Sequence, residues 1–157
     1  NKIQVQGGAT LQSSRYDSPE EWSADKEHLS EKERISKYIM RTPDFYGYFT
    51  ASYMPSKAFT IAVNGSYTGK MYIPHLLSKV DGTTDVLIKS PDFFELGTKL
   101  TYDVALNYGL NLQLNAGIQN IFNSYQTDFD KGSTRDSGYI YGPGSPRSYY
   151  AGVKLSF

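Results

Sequence analysis

The sequence predicts an all-β protein built from six antiparallel strands, and three observations lead to this fold class. Six segments place apolar side chains at every second position, which is the period of a strand with one apolar face. The connections between the segments are alternately short and long. No run of about 20 apolar residues is present to form a spanning helix. The six segments cover approximately residues 2–16, 44–54, 57–73, 92–106, 109–122 and 147–157.

The first three segments each separate an apolar set of side chains from a polar set. In the first segment the apolar positions are Ile3, Val5, Ala9 and Leu11. In the second they are Phe45, Phe49, Ala51 and Tyr53, and in the third Phe59, Ile61, Val63, Tyr67, Met71 and Ile73. Each segment is long enough for the roughly 9–11 residues with which a tilted strand crosses a bilayer.

The last three segments repeat this pattern. Their apolar positions are Phe94, Leu96, Leu100, Tyr102 and Val104 in the fourth, then Leu110, Leu112, Leu114, Ala116 and Ile118 in the fifth. The sixth has Tyr149, Ala151, Val153, Leu155 and Phe157. Charged side chains such as Glu95, Lys99, Asp103 and Lys154 occupy the alternate positions, and we interpret them as facing a wet interior.

The connections distinguish between architectures, because a membrane barrel and a soluble sandwich both have strands with one apolar face. Connections of hairpin length lie at residues 55–57 and 107–109, whereas those near residues 17–43, 74–91 and 123–146 are long. Strict alternation is typical of a transmembrane barrel with tight periplasmic turns and larger extracellular loops. We therefore predict a barrel wall with three outer loops and with Phe157 at the periplasmic rim.

Composition narrows the possible functions. The 16 basic and 16 acidic side chains cancel, so no net positive charge favours nucleic acid, and the absence of cysteine excludes disulfides and thiolate metal sites. Aromatic residues make up 15% of the chain and most are Tyr, which suits a surface with one wet side. The sequence has no nucleophile elbow and no glycine-rich phosphate loop, so we predict neither enzymatic activity nor a cofactor.

Three motifs carry a resemblance to a known family. The final strand, with Tyr149, Ala151, Val153, Leu155 and a terminal Phe157, resembles the signature by which outer-membrane proteins are recognised by the barrel assembly machinery. The segment 117–125, Gly-Ile-Gln-Asn-Ile-Phe-Asn-Ser-Tyr, and the Pro146-Arg147 before the last strand resemble TonB-dependent outer-membrane receptors. Residues 41–48 are similar to the same family, especially to members from Bacteroidetes-like bacteria.

The resemblance implies active import across the outer membrane of a Gram-negative bacterium. Members of this family combine a plug domain with a 22-stranded barrel, so the chain is expected to be the C-terminal six strands, without the plug. The implied partners are the rest of the receptor, TonB through the absent N-terminal part, the assembly machinery through the last strand, and membrane lipid. The implied substrate is a scarce solute of the ferric siderophore, haem or cobalamin type, and a metal chelate is our first choice over a glycan because the terminal motifs resemble those of the very large glycan importers less.

Several residues are candidates for ligand or metal binding. Asp128, Asp130 and Asp136 stand at spacings that partly match a calcium loop, although a solvated loop with an Arg135–carboxylate pair is the more ordinary interpretation. Tyr46, Tyr48 and Tyr72 are predicted to face the lumen near the outer rim, where they could contact substrate or form an aromatic girdle. Ser18-Pro19-Glu20-Glu21 matches a capping box and predicts a short helix within residues 18–40.

Three other classes of protein stay open at this point, and the third is an outer-membrane enzyme such as a lipase, which an esterase assay would detect. Another outer-membrane channel would share the strand pattern but lack the motifs at 117–125 and 142–150. A secreted β-sandwich binding module would use its aromatic residues as a sugar platform and would be soluble without detergent.

Overall fold

The computed structural model describes residues 2–157, and ten strands account for most of its regular structure. In chain order they are β1 (Ile3–Leu11), β2 (Arg15–Glu21), β3 (Ile35–Tyr38), β4 (Phe45–Tyr53), β5 (Phe59–Thr68), β6 (Tyr72–His75), β7 (Val86–Lys89), β8 (Phe93–Ala105), β9 (Asn111–Gln119) and β10 (Ser148–Ser156). Six of them form one antiparallel sheet in the order β1-β4-β5-β8-β9-β10. The predicted all-β class and six antiparallel strands are confirmed.

The strand register collects the apolar side chains of all six strands on one face. Residues directly opposite each other in an antiparallel pair lie on the same side of the sheet. One row crosses the whole sheet and is entirely apolar: Ile3, Tyr53, Ile61, Leu100, Ala116 and Ala151. A slip of one residue in any pair would move an apolar set to the polar face, so the hydrophobic pattern determines the register.

This apolar face is exposed rather than covered by a second layer. Val5 is 69% exposed, Val153 71% and Leu155 56%. The buried hydrophobic residues of the described chain lie elsewhere, in and beside the long connections, and are Met71, Ile73, Phe93 and Tyr139. An exposed apolar sheet with a small core at one edge is the arrangement expected of a wall that lipid covers.

The connections between neighbouring sheet strands alternate in length as predicted. Residues 54–58 join β4 to β5, and residues 106–110 join β8 to β9. In the second turn Tyr108 and Gly109 adopt positive φ angles of 63° and 77°. At the other edge, residues 12–44, 69–92 and 120–147 form the three long connections, which we call the loop cap.

Two predicted strands extend too far, because short ribbons interrupt them. The first sheet strand ends at Leu11 rather than near residue 16, and β2 pairs with β3 as a separate ribbon. The third ends at Thr68 rather than at residue 73, and β6 pairs with β7 instead. Met71 and Ile73 continue the apolar alternation of β5 because their side chains are buried in the core of the loop cap. A period of two shows that a segment is a strand with one apolar face, but it does not show which other strand that segment pairs with.

The short helix predicted within residues 18–40 is present, but it does not begin at Ser18. Residues 18–21 belong to β2. The α-helix of the loop cap is α1 (Glu31–Arg34), and its capping box is formed by Ser30 and Glu33. There the Ser30 N–H donates to Glu33 Oε2 at 2.9 Å, and the Ser30 hydroxyl donates to the same oxygen at 2.6 Å. Within residues 2–157 no helix has the length and apolar content needed to span a membrane.

Candidate binding site in the loop cap

The three connections of the loop cap are bonded to one another, and Arg41 is their common point. Its guanidinium donates to the carbonyl oxygens of Gly138 at 2.5 Å and Ile140 at 2.8 Å in the third connection. Its backbone N–H donates to the carbonyl oxygen of Tyr72 in the second connection at 2.8 Å. Arg41 itself has a φ of 58°, in the left-handed region. The cap is therefore one assembly rather than three independent loops.

A buried carboxylate joins the first and second connections. Asp85 is 2% exposed and accepts hydrogen bonds from the hydroxyls of Ser23 at 2.6 Å and Ser78 at 2.7 Å, and from the Ser78 N–H at 2.9 Å. Its own N–H donates to Asp25 Oδ2 at 3.3 Å. Burial acts to raise the pKa of Asp85, but the hydrogen bonds from Ser23 and Ser78 outweigh it and hold the pKa below its usual value.

Asp25 lies beside Asp85 and is 6% exposed. Burial again acts to raise its pKa, while the backbone and side chain of His28 lower it to a net value below the usual range. The His28 ring nitrogen lies 3.0 Å from Asp25 Oδ1. Two ionised carboxylates are thus held together by donors from both connections, a role that sequence reasoning missed because Asp25 and Asp85 are far apart in the chain.

The calcium candidates Asp128, Asp130 and Asp136 accept hydrogen bonds from protein donors. Asp128 accepts from the phenols of Tyr139 at 2.9 Å and Tyr141 at 2.8 Å. Asp130 Oδ2 accepts from His75 at 2.8 Å and from the Asp136 N–H at 3.1 Å, and Asp136 accepts from the N–H groups of Leu76 and Gly138. Among residues 2–157 no group of three or more His, Cys, Asp or Glu has the geometry to hold a metal ion. Arg135 donates to the Gly132 carbonyl oxygen rather than to a carboxylate.

These contacts shift the pKa values of the third connection. Burial raises the pKa of Tyr141 to about 12, with a further contribution from its hydrogen bond to Asp128. The pKa of Asp130 is lowered, chiefly by the hydrogen bond from His75. Burial acts to raise the pKa of Asp128, but the donated phenol hydrogen bonds lower it overall. The carboxylates are therefore ionised and engaged in holding the cap together near neutral pH.

The predicted ligand-facing tyrosines occupy two different places. Tyr46 and Tyr48 are on the polar face of β4 and are 41% and 52% exposed. Tyr72 is not on the sheet, because it begins β6 in the loop cap. There it lies against Tyr38, with ring centroids 4.2 Å apart and ring planes tilted by 38°. The neighbouring Tyr38 phenol is the main cause of a raised Tyr72 pKa.

Basic side chains flank this tyrosine pair. The Arg15 guanidinium carbon lies 4.1 Å from the centre of the Tyr38 ring, and Lys89 Nζ lies 5.8 Å from the centre of the Tyr72 ring. Arg15 is the cross-strand partner of Tyr38, and Lys89 is the cross-strand partner of Tyr72. We call Arg15, Tyr38, Lys70, Tyr72 and Lys89 the basic tyrosine cluster. No spacing in the sequence indicates it, since each pair depends on the register of a ribbon.

A recess lies on the polar face of the sheet, beneath the loop cap. Its volume is about 220 Å³. It is lined by residues of β5, β8, β9 and β10 and by the end of the third connection, including Asn64, Ser66, Glu95, Gln119 and Tyr150. Tyr150 lies over Gly117, where a Cβ would collide with the Tyr150 hydroxyl. The motif glycine is thus needed for the aromatic ring of the last strand to lie flat on the wall.

The two motifs at the end of the chain contact each other. Asn120 and Asn123 have φ angles of 49° and 56°, and they turn the chain out of β9. Asn120 Nδ2 donates to the Ser145 carbonyl oxygen at 2.9 Å, and the Arg147 N–H donates to Asn123 Oδ1 at 2.9 Å. The motif asparagines therefore hold the start of β10 beside the end of β9.

The proposed assembly residues lie on β10, an edge strand that pairs only with β9 in the described sheet. Tyr149, Val153 and Leu155 project from the apolar face, and their exposed fractions are 70%, 71% and 56%. Phe157, which follows the strand, is fully exposed. A free apolar edge is suited to pairing with a further strand, and recognition by an assembly machinery stays a prediction.

Sheet and loop cap together define a class of architecture: an antiparallel wall with an exposed apolar face and long connections at one edge, as in transmembrane barrels. Among solved structures, the chain is similar to the ferric-catecholate import receptor Fiu from E. coli K12 in its closed form. The two share 22% sequence identity with a TM-score of 0.57 over 98% of this chain. The chain spans 18% of the length of that receptor. At this identity the likeness shows the fold alone.

No protein-family model matches the chain, and no curated protein matches it in sequence.

Proposed function

We propose that this chain forms six wall strands and three outer loops of an outer-membrane receptor that imports a ferric siderophore. The observation that carries the proposal is the apolar face of the sheet, on which β1, β4, β8, β9 and β10 expose large apolar side chains while those of β5 are half-buried. A soluble sandwich would cover such a face with a second sheet, and the described residues contain no second layer over it. In this proposal lipid covers the apolar face.

The substrate class rests on the structural likeness and on the motifs. The similar structure is that of a ferric-catecholate import receptor, and the motifs at 117–125 and 142–150 resemble TonB-dependent receptors. We therefore propose a ferric siderophore ahead of haem or cobalamin. In this proposal the plug and the segment that TonB binds lie in other parts of the receptor, the loop cap faces outside, and Phe157 lies on the periplasmic side. The proposal assigns no catalytic step to the chain.

The free edges of the sheet support a larger barrel. In the described sheet β1 and β10 each have one paired side and one unpaired side. Unpaired backbone groups at membrane depth are unfavourable, because lipid offers them no hydrogen-bond partner. The two edges would therefore pair with further strands of the same receptor.

Iron-limited growth tests the proposal. A strain without the receptor gene should fail to grow when a ferric catecholate is the sole iron source, and the intact gene should restore growth and the uptake of radiolabelled iron. Uptake should stop when TonB is also deleted. Receptor-dependent uptake that persists without TonB would identify a passive channel instead. A folded monomer that is stable without detergent would contradict the barrel.

A further inference from the structure

The basic tyrosine cluster has the composition of an anion-binding site. Its two tyrosine rings lie against each other at a tilt of 38°, with centroids 4.2 Å apart, and a cation lies near each ring. The polar atoms of the cluster are the phenol groups and the cationic nitrogens. Phenols and Lys or Arg nitrogens are hydrogen-bond donors suited to oxygen anions.

Charge in the cluster is incompletely balanced. Arg15 lies 3.5 Å from Asp44 Oδ1, so it has a carboxylate partner. The ion pairs within 4 Å in the described chain include neither Lys70 nor Lys89. The Asp92 pKa is lowered chiefly by the hydrogen bond from the Tyr67 phenol at 3.0 Å and least by the Lys70 charge, so Asp92 offsets only part of that charge and forms no ion pair with it within 4 Å. A positive excess thus stays at Lys70 and Lys89.

A recess of about 90 Å³ lies among these side chains. Arg15, Lys70 and Lys89 line it together with Tyr38 and Tyr72, and Asp44 is the carboxylate in the lining. The β2–β3 ribbon of the first connection and the β6–β7 ribbon of the second connection both contribute to the recess. The recess therefore exists only while these two connections are packed together. The backbone bond from Arg41 to Tyr72 is one of the contacts that hold them there.

We propose that the basic tyrosine cluster is a binding site for an oxygen-rich anionic group at the surface of the loop cap. Two sources of that chemistry exist at an outer-membrane surface: the catecholate oxygens of a ferric chelate, and the phosphate groups of lipopolysaccharide. The first would make the cluster part of the substrate path and rests on the proposed function. The second would anchor the loop cap to surrounding lipid.

The test compares full-length receptors that carry Lys70→Gln with Lys89→Gln, Lys70→Arg with Lys89→Arg, or the matched control Lys79→Gln with Lys131→Gln. The control removes two exposed lysines of the loop cap that do not line the recess. Calorimetry in detergent measures binding of ferric tris(2,3-dihydroxybenzoate), of an uncharged ferric trihydroxamate, and of purified lipopolysaccharide. Heat-modifiable gel migration verifies that each variant is folded.

For the glutamine pair we expect the dissociation constant of the anionic probe to rise by about tenfold or more, because charge-assisted hydrogen bonds are lost. The arginine pair and the control should bind like wild type, and the uncharged probe should be insensitive. Loss of ferric catecholate binding assigns the site to the substrate. Loss of lipopolysaccharide binding alone assigns it to lipid phosphate.

Unchanged binding of both anionic probes by the glutamine pair would overturn the anion site. If the wild-type receptor bound and imported no ferric chelate, the proposed function would fail on its own, while the lipopolysaccharide titration would still decide whether the cluster binds anions.

Discussion

The His75 imidazole lies flat against the Tyr139 ring, with centroids 3.7 Å apart and planes inclined by 12°. This stack joins the second and third connections of the loop cap, and each ring also contacts a carboxylate. His75 Nε2 lies 2.8 Å from Asp130 Oδ2, and the Tyr139 phenol donates to Asp128 Oδ2 at 2.9 Å. A stacked aromatic pair with two hydrogen-bonded carboxylates thus fixes the third connection against the second.

Tyr139→Leu should loosen this junction. It removes a stack worth about 0.5–1.5 kcal/mol and a hydrogen bond to a charged acceptor worth about 1.5–3 kcal/mol. Tyr139→Phe keeps the stack and loses only the hydrogen bond. Limited proteolysis of the folded receptor should therefore cut residues 120–147 fastest in Tyr139→Leu and at an intermediate rate in Tyr139→Phe. Equal rates for wild type and both variants would show that the stack does not hold the connection.

Asn120 has a positive φ, and its side chain makes three hydrogen bonds within the third connection. Its amide donates to the carbonyl oxygens of Ser124 and Ser145, and its Oδ1 accepts from the Ser124 N–H. Asn120→Ala should lower the free energy of unfolding by about 2–4 kcal/mol, because it leaves buried groups unpaired and strains the backbone. Asn120→Gly restores the backbone freedom and should be milder. Urea unfolding in vesicles measures both, and a larger loss for glycine than for alanine would contradict the left-handed turn.

Adjacent residues of β9 should respond oppositely to a new charge. Leu114 is 42% exposed on the apolar face, whereas Asn115 belongs to the polar face opposite Gly152. An arginine on the lipid side near mid-membrane costs about 2–4 kcal/mol, so Leu114→Arg should reduce the folded fraction in vesicles. Asn115→Arg should fold like wild type. The fraction of each variant that shows heat-modifiable gel migration measures folding. If Asn115→Arg folded less well than Leu114→Arg, the result would contradict the assignment of lipid to the face that bears Leu114.

Acid should loosen the loop cap before the sheet. The pKa of Asp85 is below its usual value in the folded chain, so its stabilising contribution is complete above the unfolded pKa of about 3.9 and declines as the pH falls through the folded value. The protection of amides near Ser23 and Ser78, relative to the intrinsic exchange rate at each pH, should therefore fall below about pH 4, while protection in β8 and β9 is retained. Asp85→Asn removes the titrating group and should make exchange in the cap faster at neutral pH and less dependent on acid. Uniform acceleration throughout the sheet would contradict a local effect.

The sequence by itself determined the wall. Alternation at period two specified six strands and their apolar faces, and the connection lengths indicated which edge of the sheet bears the loops. These features are local, because each strand carries its own pattern and the register follows from matching apolar faces. The turn motifs at Asn120 and Arg147 were also visible in the sequence, since their hydrogen bonds link segments that a hairpin brings together.

The loop cap was decided only by the tertiary structure. Tyr72 continues an alternating run in the sequence, yet β6 leaves the sheet and pairs with β7, which places Tyr72 on Tyr38 and beside Lys89. Asp25 and Asp85 meet across two connections in the same way. These contacts join residues that are far apart in the chain and follow no repeating spacing. Whether the residues meet depends on how the β2–β3 and β6–β7 ribbons pack. Local sequence patterns can therefore predict the six-stranded sheet of this protein, but the proposed binding surface in the loop cap follows from long-range packing.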